Sequence, residues 1–293
     1  MKKLFLFMAA SLILLNAFAA KKPSLKDAVM AYNPELTKKA FDDGADPNEK
    51  WSGATALFWA SVQGQTEVIK IIIAKGAKVD ETGLLGDTPL DGIVFFAKSP
   101  EEFVAENKKT NEKILKHFTE EKAKASGWWK ETDITKFSTV AERAKLLLDA
   151  GADPNFLLGN VGKTGTPFLN AVEKQNLEAV KAMLDSKKVD VELRLGQRSN
   201  KDNEWLKVYF ASNTIDMNLV PSVNTPLMFA VEKQNLALVK ILVEGGASTE
   251  NIKKVSGSNG RLESALSIAL DKGYKEIADY LISKGATSPK EKK

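Results

Sequence analysis

The sequence predicts an all-α solenoid of about six helix-turn-helix units, joined by hairpin-like fingers and interrupted by a helical insertion in the third unit. Three observations carry this. Residues 171–177 and 230–236 are the same seven, Ala-Val-Glu-Lys-Gln-Asn-Leu, 59 positions apart (171 to 230). Apolar stretches close repeatedly on Gly-Ala, at Gly44-Ala45, Gly76-Ala77, Gly151-Ala152, Gly246-Ala247 and Gly285-Ala286. Others open on Thr-Pro, at Thr88-Pro89, Thr166-Pro167 and Thr225-Pro226. Thr is a good N-cap and Pro suits the first helical turn, whereas Gly just past a helix takes the left-handed cap cheaply. The spacing from Gly44 to Gly76 is 32 and from Thr55 to Thr88 is 33. A period of that size is one supersecondary unit, which buries its apolar face only by stacking on its neighbours.

The elements follow in order. Lys2 and Lys3 precede an apolar run from Leu4 to Leu15, and Ala17-Phe18-Ala19 then supplies small residues for cleavage. Residues 1–19 therefore read as a secretory signal peptide, and periplasm is the expected destination, the external medium being the alternative. A run of about a dozen residues is short for a membrane span, which needs roughly 20. Unit one, about 25–48, carries polar Asp27, Glu35, Lys38 and Lys39 and reads as an N-terminal cap. Unit two is about 53–80. Unit three begins at Asp87; its first helix runs to about Ala97 and its second resumes near Val140. Between them lie Lys98–Thr139, of which Glu101–Lys124 is expected to be helical, with Phe103, Ile114, Leu115 and Phe118 on one face. Units four, five and six span about 164–190, 223–250 and 263–286. The sixth is expected to close the stack through Asp271, Lys272, Lys275 and Glu276, leaving a monomer. Residues 287–293 form a basic tail.

The pattern resembles the ankyrin repeat, whose signature is Thr-Pro-Leu-His-x-Ala-Ala, a Gly turn, an apolar outer helix and Gly-Ala-Asp-x-Asn. Thr88-Pro89-Leu90, Thr166-Pro167-Phe168 and Thr225-Pro226-Leu227 match its opening, Gly64 its turn, and Gly44–Asn48 and Gly151–Asn155 its ending. The resemblance covers about residues 25–286. It implies an ankyrin solenoid and a protein-binding role. One departure stands out: the family's His is replaced by Phe58, Asp91, Leu169, Met228 and Ser267. The resemblance then implies that the His-based hydrogen bonding between repeats is missing and that apolar packing compensates.

The connections between units point to binding. The first finger, Glu49–Ala54, carries Trp51; the second, Glu81–Gly86, carries Leu84 and Leu85; the third, Phe156–Gly165, carries Phe156, Leu157 and Leu158. The fourth, Glu192–Val223, is long and holds Trp205, Tyr209 and Phe210. Long connections inside a compact domain usually bind something. Exposed apolar tips are costly unless they bind or pack, so Trp51, Leu84, Leu85, Phe156, Leu157, Leu158, Trp205 and Tyr209 are the candidate partner-binding residues. The pair Trp128-Trp129 in the insertion either anchors a partner or pins the insertion to the stack. Trp59 lies in a first helix, as core or as part of the concave surface.

Signals for chemistry are absent. His117 is the single histidine and there is no cysteine, so nucleophilic triads and a zinc site lack their residues, and no disulfide staples the chain. Gly159–Thr164 resembles a phosphate loop but has Leu157 where the leading Gly belongs. The Asp-Pro-Asn runs at 46–48 and 153–155 are turn residues, without the spacing of a calcium loop. No cofactor or metal is expected. Net charge falls from +4 to about +2 without Lys2 and Lys3, too little for a nucleic-acid groove. The expectation is a non-catalytic binding protein. It is similar to periplasmic ankyrin proteins of predatory bacteria, exported without an anchor. That resemblance implies a self-protection role, blocking a cell-wall D,D-endopeptidase of the penicillin-binding-protein type. A general periplasmic scaffold, for example in oxidative-stress protection, is the alternative.

Overall fold

The computed structural model describes residues 24–83, 86–96, 98–125, 130–156, 165–193, 224–250, 252–254 and 262–287. Residues 1–19, read above as a signal peptide, and Leu84, Leu85, Trp128-Trp129, Leu157, Leu158, Gly159–Thr164, Trp205, Tyr209 and the last six residues lie outside them. Unit one is α1 (Leu25–Met30) and α2 (Pro34–Asp42). A hairpin follows, β1 (Lys50–Trp51) and β2 (Ala54–Thr55), and then unit two, α3 (Ala56–Val62) and α4 (Thr66–Ala74). Unit three is split between α5 (Pro89–Phe96) and α8 (Val140–Asp149). Between them come α6 (Pro100–Leu115), α7 (Glu120–Ala125) and a 3-10 turn at Ile134–Lys136. Unit four is α9 (Pro167–Glu173) and α10 (Leu177–Asp185); unit five is α11 (Pro226–Glu232) and α12 (Leu236–Glu244). A second hairpin, β3 (Ile252–Lys254) and β4 (Leu262–Ser264), leads to unit six, α13 (Ala265–Asp271) and α14 (Lys275–Ser283).

The stack is regular because the same local chemistry recurs. Side-chain oxygens of Thr55, Thr88, Thr166, Thr225 and Ser264 each accept the backbone N–H three residues on, at 3.1 to 3.3 Å. Outer helices end on a left-handed residue, with φ of 88° at Gly76, 105° at Gly151 and 103° at Gly246. The fourth unit takes the same turn with Lys187, φ 58°, at a non-Gly position. Buried Leu, Ile, Val and Ala from Leu25 to Ala286 form one continuous apolar core between the rows of helices.

The missing family histidines do not leave the repeats without polar links. Asp91, in the histidine column, accepts from Asn170 Nδ2 at 2.9 Å and from the Thr88 hydroxyl at 2.8 Å, all three residues being buried. A second ladder runs along the bases of the fingers. Asn48 Oδ1 accepts Lys78 N–H at 2.8 Å, the Asp80 carboxylate accepts Asp153 N–H at 3.2 Å, and Asn155 Oδ1 accepts Asp190 N–H at 2.9 Å. Glu250 Oε1 accepts Thr287 N–H at 3.0 Å. Each Asp-Pro-Asn thus has two jobs: its Asp folds back onto the Asn N–H at 2.8 Å, and its Asn reaches into the next repeat.

Burial raises the carboxyls of Asp91 and Asp80 from 3.8 to about 6 each, against the hydrogen bonds they accept. A raised folded value favours the neutral form. The stability this adds is present in full below about 3.8 and is lost as pH rises through about 6. Asp91→Asn should therefore shallow the decline of the urea midpoint between pH 4 and 7 relative to the parent chain. Equal slopes in the two proteins would refute this assignment.

The insertion packs differently from the periodicity reading. Its helix breaks at Lys116–Thr119, and Leu115 and Phe118 are exposed. The buried face is Phe103, Asn107 and Asn111, one residue per turn. Phe103 stacks on Phe137 at 5.6 Å, and Phe137 meets Tyr32 edge-on at 5.5 Å. Asn107 Nδ2 donates to the Glu131 carbonyl at 2.7 Å, while Asn111 exchanges two 2.9 Å bonds with the Lys130 backbone. Lys130 Nζ donates at 2.7 Å to the Met30 carbonyl, the last of α1. The inserted segment is thereby strapped along the inter-helix turns of units one and two, opposite the fingers, and Ser138 N–H donates to Gly64 O at 3.0 Å.

Arg143 of α8 is the anchor of this strap. It is fully buried, and its guanidinium donates to four backbone carbonyls: Thr139 at 3.1 Å, Ser61 at 3.2 Å, Val62 at 3.1 Å and Lys98 at 2.7 Å. Its charged group also lies 5.7 Å from the Phe103 ring centre. Burial lowers its proton affinity, to about 10.

In unit six the four polar residues expected at the end of the stack face outward. Asp271, Lys272, Lys275 and Glu276 are exposed, but so are Glu173, Lys174 and Glu178 at the equivalent places of unit four. The place of Lys275 is held by half-buried Leu177 in unit four and Leu236 in unit five, so a charged residue there is particular to unit six.

Candidate protein-binding surface

The inner helices α3, α5, α9, α11 and α13 turn one side away from the outer row. In each, the residues four, seven and eight places after the N-cap lie on that side. For α3 and α5 these include Trp59, Val62, Phe95 and Phe96; for α9, α11 and α13 they include Glu173-Lys174, Glu232-Lys233 and Asp271-Lys272. The inner face is therefore aromatic over units two and three and carries paired opposite charges over units four to six.

The aromatic patch is built by a close approach. Phe58 takes the histidine column in α3, and Gly92 faces it from α5. A Cβ on Gly92 would lie 2.7 Å from Phe58 Cε2 and 3.0 Å from Val62 Cγ2. The missing side chain lets the Phe58 ring cross α5 and meet Phe96 edge-on at 6.3 Å. Phe58 also meets Trp59 at 5.7 Å and 85°, and Phe95 and Phe96 sit 6.1 Å apart. Trp59 Nε1 donates to the Trp51 carbonyl at 3.2 Å, which fixes its ring. Lys174 from unit four reaches to 5.4 Å from the Phe95 ring centre. Phe96 is 48% exposed. An ordered aromatic side chain held half in water is what a binding anchor looks like.

The fingers differ from the expectation where they are described. Trp51 does not project as a tip. It is half-buried, packs on the core, and lies in β1, where it pairs with Ala54. The hairpin turn is Ser52-Gly53, both with positive φ (49° and 83°), as a tight two-residue turn requires. Lys50 Nζ ties the first finger to the second, donating to Glu81 Oε1 at 2.7 Å and to Thr82 O at 2.9 Å. Phe156 is half-buried at the start of the third finger. The other six candidates fall outside the described residues, so the structure neither gathers nor separates them.

Phe95 and Phe96 are the residues that reading the sequence passed over. The signal was present: in Leu90-Asp91-Gly92-Ile93-Val94-Phe95-Phe96 helical spacing buries Leu90, Ile93 and Val94 and leaves the two phenylalanines on the other side.

Two segments of the chain match known repeats. A model of the ankyrin repeat matches residues 52–83, and a model of three ankyrin repeats matches residues 197–292. The Caenorhabditis elegans ankyrin repeat and KH domain-containing protein mask-1 is 26% identical over 239 residues, which is 78% of this chain. The match spans only 8% of that relative's length. The crystal structure of EF0377, an ankyrin repeat protein, aligns with a TM-score of 0.47 at 19% identity, covering 90% of this chain and 98% of the other. With its capped inner helices and left-handed outer ends, the chain has the fold of an ankyrin-repeat solenoid, and its residues 52–83 and 197–292 match ankyrin repeats.

Proposed function

We propose that the chain is an exported, non-catalytic inhibitor that protects its producer by occluding a cell-wall D,D-endopeptidase in the periplasm. The observation that carries a binding role is the inner-face patch of Trp59, Phe95 and Phe96, locked by Gly92 and exposed at Phe96. The leader pattern of residues 1–19 supports export. A stacked array pays little ordering entropy on binding, which suits inhibition by occupancy alone. A finger projecting from a rigid stack would suit entry into an enzyme cleft.

The test mixes residues 20–293 with D,D-endopeptidases of the penicillin-binding-protein type and follows muropeptide release. Reversible, stoichiometric inhibition competitive with peptidoglycan is expected. Unchanged release at saturating protein, with no complex on gel filtration, would reject the inhibitor. A complex without inhibition would favour a periplasmic scaffold instead.

A further inference from the structure

We propose that the recess between the inserted strap and the α1–α2 turn is a binding site for a single neutral ring carrying one hydroxyl donor, a phenol. It lies apart from the inner face and does not depend on the partner proposed there. The recess measures about 170 Å³, comparable to cavities that take up benzene. Its apolar walls are Tyr32 and Pro34 of unit one, Val68 of α4 and Phe137 of the strap.

The strap and the turn build these walls together. Tyr32 takes the left-handed place of the inter-helix turn, with φ 57°, which other units give to Gly64 and Gly273 or to Gln175 and Gln234. A bulky residue is uncommon there, and its ring meets Phe137 edge-on at 5.5 Å. Phe137 is held in turn by stacking on Phe103 at 5.6 Å and by pairing with Gln65 in an isolated antiparallel bridge. Both rings are therefore fixed before a ligand arrives, which keeps the ordering cost of binding low.

Gln65 supplies the polar group. Units one, four and five place Asn just before the outer helix, and each Asn side-chain oxygen accepts a helix N–H. Asn33 accepts from Leu36 at 3.0 Å, Asn176 from Ala179 at 3.1 Å and Asn235 from Leu238 at 2.9 Å. Gln65 holds that place in unit two and makes no such cap. Its Nε2 donates to the Val29 carbonyl at 2.8 Å and to Gln63 Oε1, which fixes the orientation of the amide. Oε1 is left without a donor among the described residues, on a side chain that lines the recess and is only 3% exposed. A buried acceptor without a partner destabilises the fold, and apolar walls give a water molecule few further partners. A ring with one hydroxyl answers both the walls and the acceptor. The rim does not call for a charged ligand, because Glu131 Oε2 accepts from Lys136 Nζ at 2.6 Å and Glu67 Oε1 from Lys70 Nζ at 2.7 Å.

Titration of residues 20–293 with p-cresol, toluene and N-acetyl-tyrosinamide, followed by NMR of the Val68 methyls and the Gln65 side-chain amide, tests this. p-Cresol is expected to bind saturably, to shift both signals, and to bind no more weakly than toluene. A recess without a usable acceptor would reject the buried hydroxyl by about tenfold. Gln65→Leu should accordingly weaken p-cresol by about tenfold and leave toluene unchanged. Should that variant lose structure with its bond to Val29, the ratio of the two ligands on the parent chain decides alone. Binding of N-acetyl-tyrosinamide as well assigns the ring to a tyrosine of a partner chain, whereas binding of p-cresol without it assigns a free small phenol. No saturable p-cresol binding, p-cresol bound about tenfold more weakly than toluene on the parent chain, or shifts confined to residues away from the recess overturns the proposal.

Discussion

Arg143→Ala is expected to cost about 4 kcal/mol of folding free energy, the largest effect of any single polar change in the chain. The guanidinium reaches Ser61 and Val62 at the C-terminus of α3, where carbonyls lack intrahelical partners and the helix dipole favours a cation. It also holds Lys98, the residue that opens the insertion. Truncation would leave buried carbonyls without donors and a cavity beside Phe103, so several penalties of about 1 to 3 kcal/mol combine. Arg143→Lys should recover little, because one ammonium cannot span carbonyls fanned over three segments. Urea denaturation gives the magnitude. Hydrogen exchange should show the Lys98–Thr139 segment opening before the repeats do. A lysine variant within about 0.5 kcal/mol of the parent would mean that charge alone, and not the planar fork, is what the site uses.

Phe96→Ala should separate binding from folding. Its ring is half in water and touches Phe58 and Phe95 only at the edge of the core. Removing it should lower affinity for the partner by about 2 kcal/mol, roughly thirtyfold, as for an aromatic hot spot. The urea midpoint should change little. Titration of parent and variant against the D,D-endopeptidase proposed as partner, with melting curves alongside, checks both halves. Equal affinities with a lowered melting temperature would make the patch structural and shift the binding role to the fingers.

Much of this was legible along the chain. Thr-Pro and Gly-Ala mark helix starts and ends by local chemistry, acting over three or four residues. Accordingly the helices at Pro89–Phe96 and Val140–Asp149 begin and end beside the expected residues. The insertion was misread because its face is decided by long-range partners. Periodicity selected Leu115 and Phe118, but Asn107 and Asn111 are buried because the Lys130–Glu131 backbone crosses there and needs donors.

The sequence by itself determined the ankyrin-type repeat, its period and its number of units, since these rest on capping and periodic burial that any one unit displays. Only the tertiary structure decided how the units are tied and what they show to solvent. Asn48, Asp80 and Asn155 find backbone N–H groups about 30 to 70 residues away. Gly92 makes room for Phe58 from the neighbouring repeat. The physical reason is the same in each case. Burial and hydrogen-bond satisfaction are properties of pairs brought together across the stack, and a residue's type does not say which surface will arrive opposite it.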